Sequence, residues 1–207
     1  MRPTFRLAGY VGDGDNTAEA LGAFLTRNAK RDVDVLVNSP GGAALEGAAL
    51  LAEAEAHGRV RFIVRGVAAS SASLMLCGGA TVLMHPQAIW MAHLPTAVTA
   101  GDAEEHRRVA SLLEKIGRTD AEAYARFSGQ TLSRIRAWLA EELWLSAEEA
   151  VALGFADGLE EAAEPERPAR HDYTRHAAAP GALQRLAREN GWAAASPGPT
   201  TEEAQNA

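Results

Sequence analysis

Two β-branched runs in this chain end in residues that can equip an acyl transfer. Val33 to Val37 leads into Asn38-Ser39-Pro40-Gly41-Gly42, and Arg61 to Arg65 leads into Gly66-Val67-Ala68-Ala69-Ser70-Ser71-Ala72-Ser73. A serine hydroxyl is a weak nucleophile until a base takes its proton, a third group orients that base, and donors await the oxyanion. Ser70 stands where strand is expected to give way to helix, and Ser71 offers the next backbone N–H. Gly41 and Gly42 lack a Cβ, so a substrate can approach the backbone and an N–H there can meet a developing negative charge. The same small residues also suit a closely packed helix whose hydroxyls bond backbone, and Pro-Gly alone is a turn signal. The serine therefore needs a base and an acid.

Of the six histidines, His57 ends a helical run, His106 lies on a charged helix face, and His171 and His176 fall in a polar tail. His85 precedes Pro86 in a connection. His93 closes the apolar run Ala88 to Ala92 ahead of Leu94-Pro95, a strand end that opens a cleft, and is the preferred base. For the acid, Glu141-Glu142 immediately precede Leu143-Trp144-Leu145, where a tryptophan can keep a carboxylate partly dry, and Asp157 competes for the role. No HExxH, clustered aspartate, Cys/His spacing or glycine-rich run ending in Lys-Ser/Thr occurs, so neither a metal nor a phosphate-bearing cofactor is expected.

Positioning these groups calls for alternating strands and helices. Strands are predicted at Phe5 to Val11, Val33 to Val37, Val60 to Val64, Ala80 to Met84 and Ala88 to Ala92. Helices are predicted at Ala18 to Ala29 (with Asn16 as its cap), Leu45 to His57, Ser70 to Leu76 and Gly101 to Arg126, with a capped turn opening at Ser146. This is the pattern of a mostly parallel α/β sheet covered by helices. Residues 1–160 read as one domain. From 161 the chain turns to Ala, Pro, Glu and Arg and reads as a flexible tail, in which Gly181 to Asn190 can form a short helix with Leu183 and Leu186 on one face.

The 207 residues, 47% hydrophobic and 23% charged, can bury one good core. A net charge of -7 with no basic run excludes a nucleic-acid groove. Cys77 is the only cysteine and suits a buried thiol in a reducing compartment. No run of about 18 apolar residues and no export signal core appears, so no membrane partner and a cytoplasmic location are expected.

Four ordered stretches, Val37 to Gly42, Gly66 to Ser73, Trp90 to Pro95 and Leu145 to Asp157, resemble the ClpP family of serine peptidases, and more closely its phage head maturation protease branch. The resemblance spans Phe5 to Leu159. It implies the ClpP/crotonase-like superhelix of βαβ units, with Gly101 to Arg126 as a handle helix packing between stacked homo-oligomeric rings. It also implies Ser70 as nucleophile, His93 as base, Glu142 as acid, and the N–H groups of Gly42 and Ser71 as oxyanion hole. Glu142 stands where cellular members have aspartate, although the phage branch is similar in allowing either acid, and Thr96-Ala97 replace glycines that follow the histidine motif. Because the first strand starts by Phe5, docking of an unfoldase ATPase is not expected. The implied function is an ATP-independent serine endopeptidase, with no cofactor, that cleaves capsid or scaffold proteins during phage head maturation in the host cytoplasm. A catalytically silent ring subunit and a crotonase-type acyl-CoA enzyme are the alternatives.

Overall fold

Buried Val33, Val35 and Val37 alternate with half-buried Asp34 and Leu36, which makes their strand one face of a packed sheet. The computed structural model describes residues 1–161 and 166–194. The elements run β1 (Thr4–Ala8), α1 (Ala18–Arg27), β2 (Val33–Ser39), α2 (Ala44–His57), β3 (Val60–Ala69), α3 (Ser71–Leu76), β4 (Thr81–Met84), β5 (Ile89–Ala92) and α4 (Ala103–Ser128). There follow α5 (Leu132–Ala140), β6 (Leu143–Ser146), α6 (Ala147–Ala152), β7 (Gly158–Leu159), a 3-10 turn (Tyr173–Arg175) and α7 (Gly181–Glu189). By backbone contacts the chain divides into Met1–Ala169 and Arg170–Ala207.

In the first unit β1, β2, β3, β4 and β7 pair in parallel in that order, the α/β arrangement of βαβ units expected. The first half of β3 pairs with β4 and its second half, Val67 to Ala69, pairs in parallel with β5. β-Branched content does not explain that second half, because Gly66-Val67-Ala68-Ala69 has weak strand propensity. Tertiary pairing overrides it: β5 lies alongside, and the Asn38 side chain accepts from Val67 N at 3.3 Å. β3 thus runs beyond the expected end at Val64 as far as Ala69, next to Ser70.

Three other differences have local causes. Thr17, not Asn16, caps α1 by accepting from Ala20 N, while Asn16 bonds both the N–H and the carbonyl of Ala8 and so ties the loop to β1. α4 starts at Ala103 because the Asp102 carboxylate caps Glu104 and Glu105 N–H, and it ends at Ser128 before left-handed Gly129. α5 and β6 were not foreseen; Thr131 caps α5, whose Ile135 and Leu139 are buried at i, i+4 spacing. The capping box at Ser146 and Glu149 forms as read. No helix among the described residues is long and apolar enough to cross a membrane.

The segment from Glu166 to Ala169 lies against the end of β2. Glu166 N donates to Arg65 O at 2.9 Å, and Asn38 donates to Arg167 O at 2.8 Å and accepts from Ala169 N at 2.9 Å. In the second unit α7 forms with Leu183 buried, and Asp172 caps the 3-10 turn and accepts from Ala194 N at 2.8 Å. The backbone N–H of Ala194 and the Thr174 hydroxyl hold the Asp172 carboxyl below its ordinary pKa. The Pro-rich stretch from Ser196 lies outside the described residues.

A Cβ at Gly66 would fall 2.4 Å from Asn38 Oδ1. Gly66→Ala is therefore expected to lose about 1–3 kcal/mol of stability by overpacking. Gly158→Ala, whose Cβ would meet Leu83 at an ordinary 3.7 Å, should stay within about 0.5 kcal/mol. Urea denaturation of the two variants checks the contrast.

Candidate active site

The pairing of β5 with β3 sets the first distance in the site. Ala69 lies beside Met91, and Ser70 N donates to Met91 O at 2.9 Å, so Ser70 and His93 leave neighbouring strand ends side by side. The His93 Nε2 stands 2.9 Å from Ser70 Oγ. That is a hydroxyl and an imidazole within proton-transfer reach.

Ser70 occupies φ 57° and ψ -128°, a region that costs an L residue about 1–3 kcal/mol. Its carbonyl is held by Ser73 N at 2.9 Å and Leu74 N at 3.1 Å. Ser73 Oγ lies 2.8 Å from that carbonyl, 2.6 Å from Met91 O and 2.7 Å from Tyr124 Oη, and Tyr124 Oη donates to Ser70 O at 3.3 Å. Several hydrogen bonds of about 1 kcal/mol each thus hold a corner that the backbone alone would not choose. Burial raises the Tyr124 phenol well above its ordinary pKa, so it stays protonated and can donate. Trp90 of β5 stacks on Phe155 at 4.3 Å between centroids and meets Tyr124 edge-on at 5.6 Å, locking β5 to α4.

The glycine loop sits directly against this corner. A Cβ at Gly41, whose φ is +91°, would fall 2.7 Å from Ser70 Cβ and 3.2 Å from Ser71 N; one at Gly42 would fall 2.2 Å from Val11 O. Only glycine fits either place. Val11 N donates to Gly41 O at 2.9 Å and Ala43 N donates to Val11 O at 3.1 Å, and neither bond uses the Gly42 N–H. Ser39 Oγ accepts from Gly41 N at 3.1 Å and fixes the turn. Ser71 N is the first N–H of α3, where no residue one turn back can accept from it.

Glu142 reaches the site through β6. The antiparallel register pairs Ala92 with Leu143, the residues next in sequence to His93 and Glu142. Glu142 has φ 57°, a turn into β6, and its Oε2 is buried. Asp157 lies elsewhere: its carboxylate accepts from Val82 N at 2.7 Å and its N–H donates to Val82 O at 2.8 Å, tying it to β4. His85 Nδ1 accepts from Gln87 N, and His57 Nε2 lies 3.2 Å from Asn28 O. Cys77 is buried, and desolvation pushes its thiol far up.

Sequence reasoning missed three residues around Ser70: Ser73 as a brace, Tyr124, and Asp120. Gly117, Ala121 and Tyr124 recur at i, i+4, i+7 on α4, and that spacing of buried residues is the signal that marks the face on which Asp120 also borders. Asp120 lines a narrow recess together with Ser70 and His93, and desolvation raises its carboxyl from 3.8 to about 6.

A family model described as Clp protease matches residues 14–163. The ATP-dependent Clp protease proteolytic subunit of Streptococcus gordonii is 32% identical over 152 residues, covering 69% of this chain and 78% of that protein. The ATP-dependent Clp protease proteolytic subunit 2 of Rhodococcus jostii is 32% identical over 130 residues, covering 61% of this chain and 67% of that protein. A sheet of βαβ units with a serine at a strand-to-helix corner and a histidine against it is thus matched by a family model over most of its length, and the chain belongs to the Clp protease family.

Proposed function

We propose that this protein is a serine endopeptidase in which Ser70, His93 and Glu142 form the catalytic triad, with the N–H groups of Gly42 and Ser71 as oxyanion hole. The observation that carries this reading is the 2.9 Å contact between His93 Nε2 and Ser70 Oγ at a strained corner against which Gly41 packs. In the reaction Ser70 Oγ attacks the scissile carbonyl carbon as its proton passes to His93 Nε2. The carbonyl oxygen takes the negative charge and accepts from Gly42 and Ser71 N–H, while Glu142 orients the imidazole through its other nitrogen and stabilises the imidazolium. Collapse breaks the C–N bond, the leaving amine takes the proton from His93, and water then hydrolyses the acyl-serine by the same steps.

The finer reading is cleavage of capsid or scaffold proteins in phage head maturation, without an ATPase. The glutamate at the acid position supports it, because the phage branch is similar in allowing either acid there. Assembly into homo-oligomeric rings is part of the proposal. On α4, Leu112 is exposed and Val109, Leu113 and Ile116 are half-buried, an apolar stripe that a second copy would cover.

Ser70→Ala and His93→Ala are each expected to abolish nucleotide-free cleavage of a purified scaffold protein, with the double variant no worse, because the members act as a unit. Glu142→Gln should lower turnover about a thousandfold or more, and Asp157→Asn should do little to it. Near-normal turnover of Glu142→Gln on a peptide substrate would move the acid elsewhere. Light scattering is expected to find a multimer at micromolar concentration, and Leu112→Glu is expected to dissociate it; a wild-type monomer with full activity would contradict the ring.

A further inference from the structure

Beside the nucleophile lies a narrow recess that the hydrolytic steps leave unused. Ala44, Leu74 and Pro95 give it apolar walls, and Ser70 and His93 stand at one side. Its free interior of about 20 Å³ holds about one water, so a larger occupant sits at its mouth. Two polar groups face it without protein partners. Ser71 Oγ is buried and has no hydrogen bond, and Asp120, half-buried, has neither an ion pair nor a hydrogen bond among the described residues. Asp120 lies one helical turn before Tyr124, whose hydroxyl braces the Ser70 carbonyl, so its place relative to the nucleophile is held by α4.

A carboxylate half out of water with no counter-charge costs stability, and an occupant that brings a cation would offset that cost. An unbranched aliphatic stem can lie over Ala44, Leu74 and Pro95 at the mouth while its charged head reaches Asp120. We propose that Asp120 makes this recess select a cationic side chain, lysine above all, next to the bond that Ser70 cleaves, a specificity that rests on the peptidase reading above. An acidic residue there would be repelled, and a neutral isostere would leave the carboxylate unpaired.

The test is cleavage-site profiling of a mixed peptide library by mass spectrometry, followed by kcat/KM for paired peptides with lysine or norleucine at the preferred position. Wild type is expected to favour lysine by about tenfold or more, and Asp120→Asn to bring the ratio close to one. Ser70-dependent cleavage with no lysine preference, or a preference that Asp120→Asn leaves in place, would overturn the assignment of Asp120 while leaving the peptidase reading standing. Absence of cleavage, or cleavage that survives Ser70→Ala, would overturn the peptidase reading itself and this proposal with it. Loss of the multimer in Asp120→Asn with selectivity retained would show that a neighbouring subunit supplies the cation, against the proposal.

Denaturation gives a second readout. His93, Tyr124 and Cys77 are the titratable groups around Asp120, and comparing wild type with Asp120→Asn isolates its share. Because the folded state raises the Asp120 pKa from 3.8 to about 6, its contribution is fully present below about pH 4 and lost as pH rises through about 6. Asp120→Asn is therefore expected to be the more stable protein above about pH 7 relative to its standing at pH 4. An unchanged difference across that range would mean that Asp120 already has a partner, and the proposal would fall.

Discussion

The Ser70 backbone is held where an L residue does not rest by itself, and much of the fold serves to keep it there. The φ of 57° aims the side chain out of the strand-to-helix corner and towards His93. Without the bonds from Ser73 N, Leu74 N and the Met91 carbonyl, the corner would relax into an ordinary extended or helical turn. β5 therefore has two tasks. Its parallel pairing with β3 anchors the Ser70 corner, and its antiparallel pairing with β6 sets Leu143, next to Glu142, beside Ala92, next to His93. One short strand of four residues carries the geometry of the whole site.

Close approach is the second constraint. Gly41 and Gly42 are pressed against the nucleophile corner and Val11, and Gly47 against Ser71, where an added Cβ would lie 2.6 Å from Ser71 Cβ. Asn38 holds the loop from behind, with its amide shared among Val67, Arg167 and Ala169. Its side chain fills the space that Gly66 leaves open, so the glycine and the asparagine work as a pair. The glycine loop is thus held against Ser70 by bonds made on its far side.

How much of this could be read beforehand depended on whether a residue's role is local. Ser70, His93 and the glycine loop stand at strand ends whose composition announces them, and the structure brings those stretches together. Apart from the family resemblance, Glu142 was legible only as a carboxylate near an apolar run, because its position depends on the β5–β6 register, which no local pattern encodes. The extent of β3 was hidden for the same reason: small residues form strand there because β5 lies beside them. Asn16 and Thr17 are both good caps by type, and the competition was settled by the Ala8 backbone, which takes Asn16. Tyr124 and Asp120 lie in a long helix whose buried side is chosen by Trp90 and Phe155, residues far away in sequence.

The central claim is that Ser70 is an activated nucleophile, and covalent labelling by a fluorophosphonate probe tests it most directly. The account predicts stoichiometric modification located by peptide mapping on Ser70, together with loss of labelling in His93→Ala. Labelling on Ser71 or Ser73, or equal labelling of Ser70 with and without His93, would contradict it.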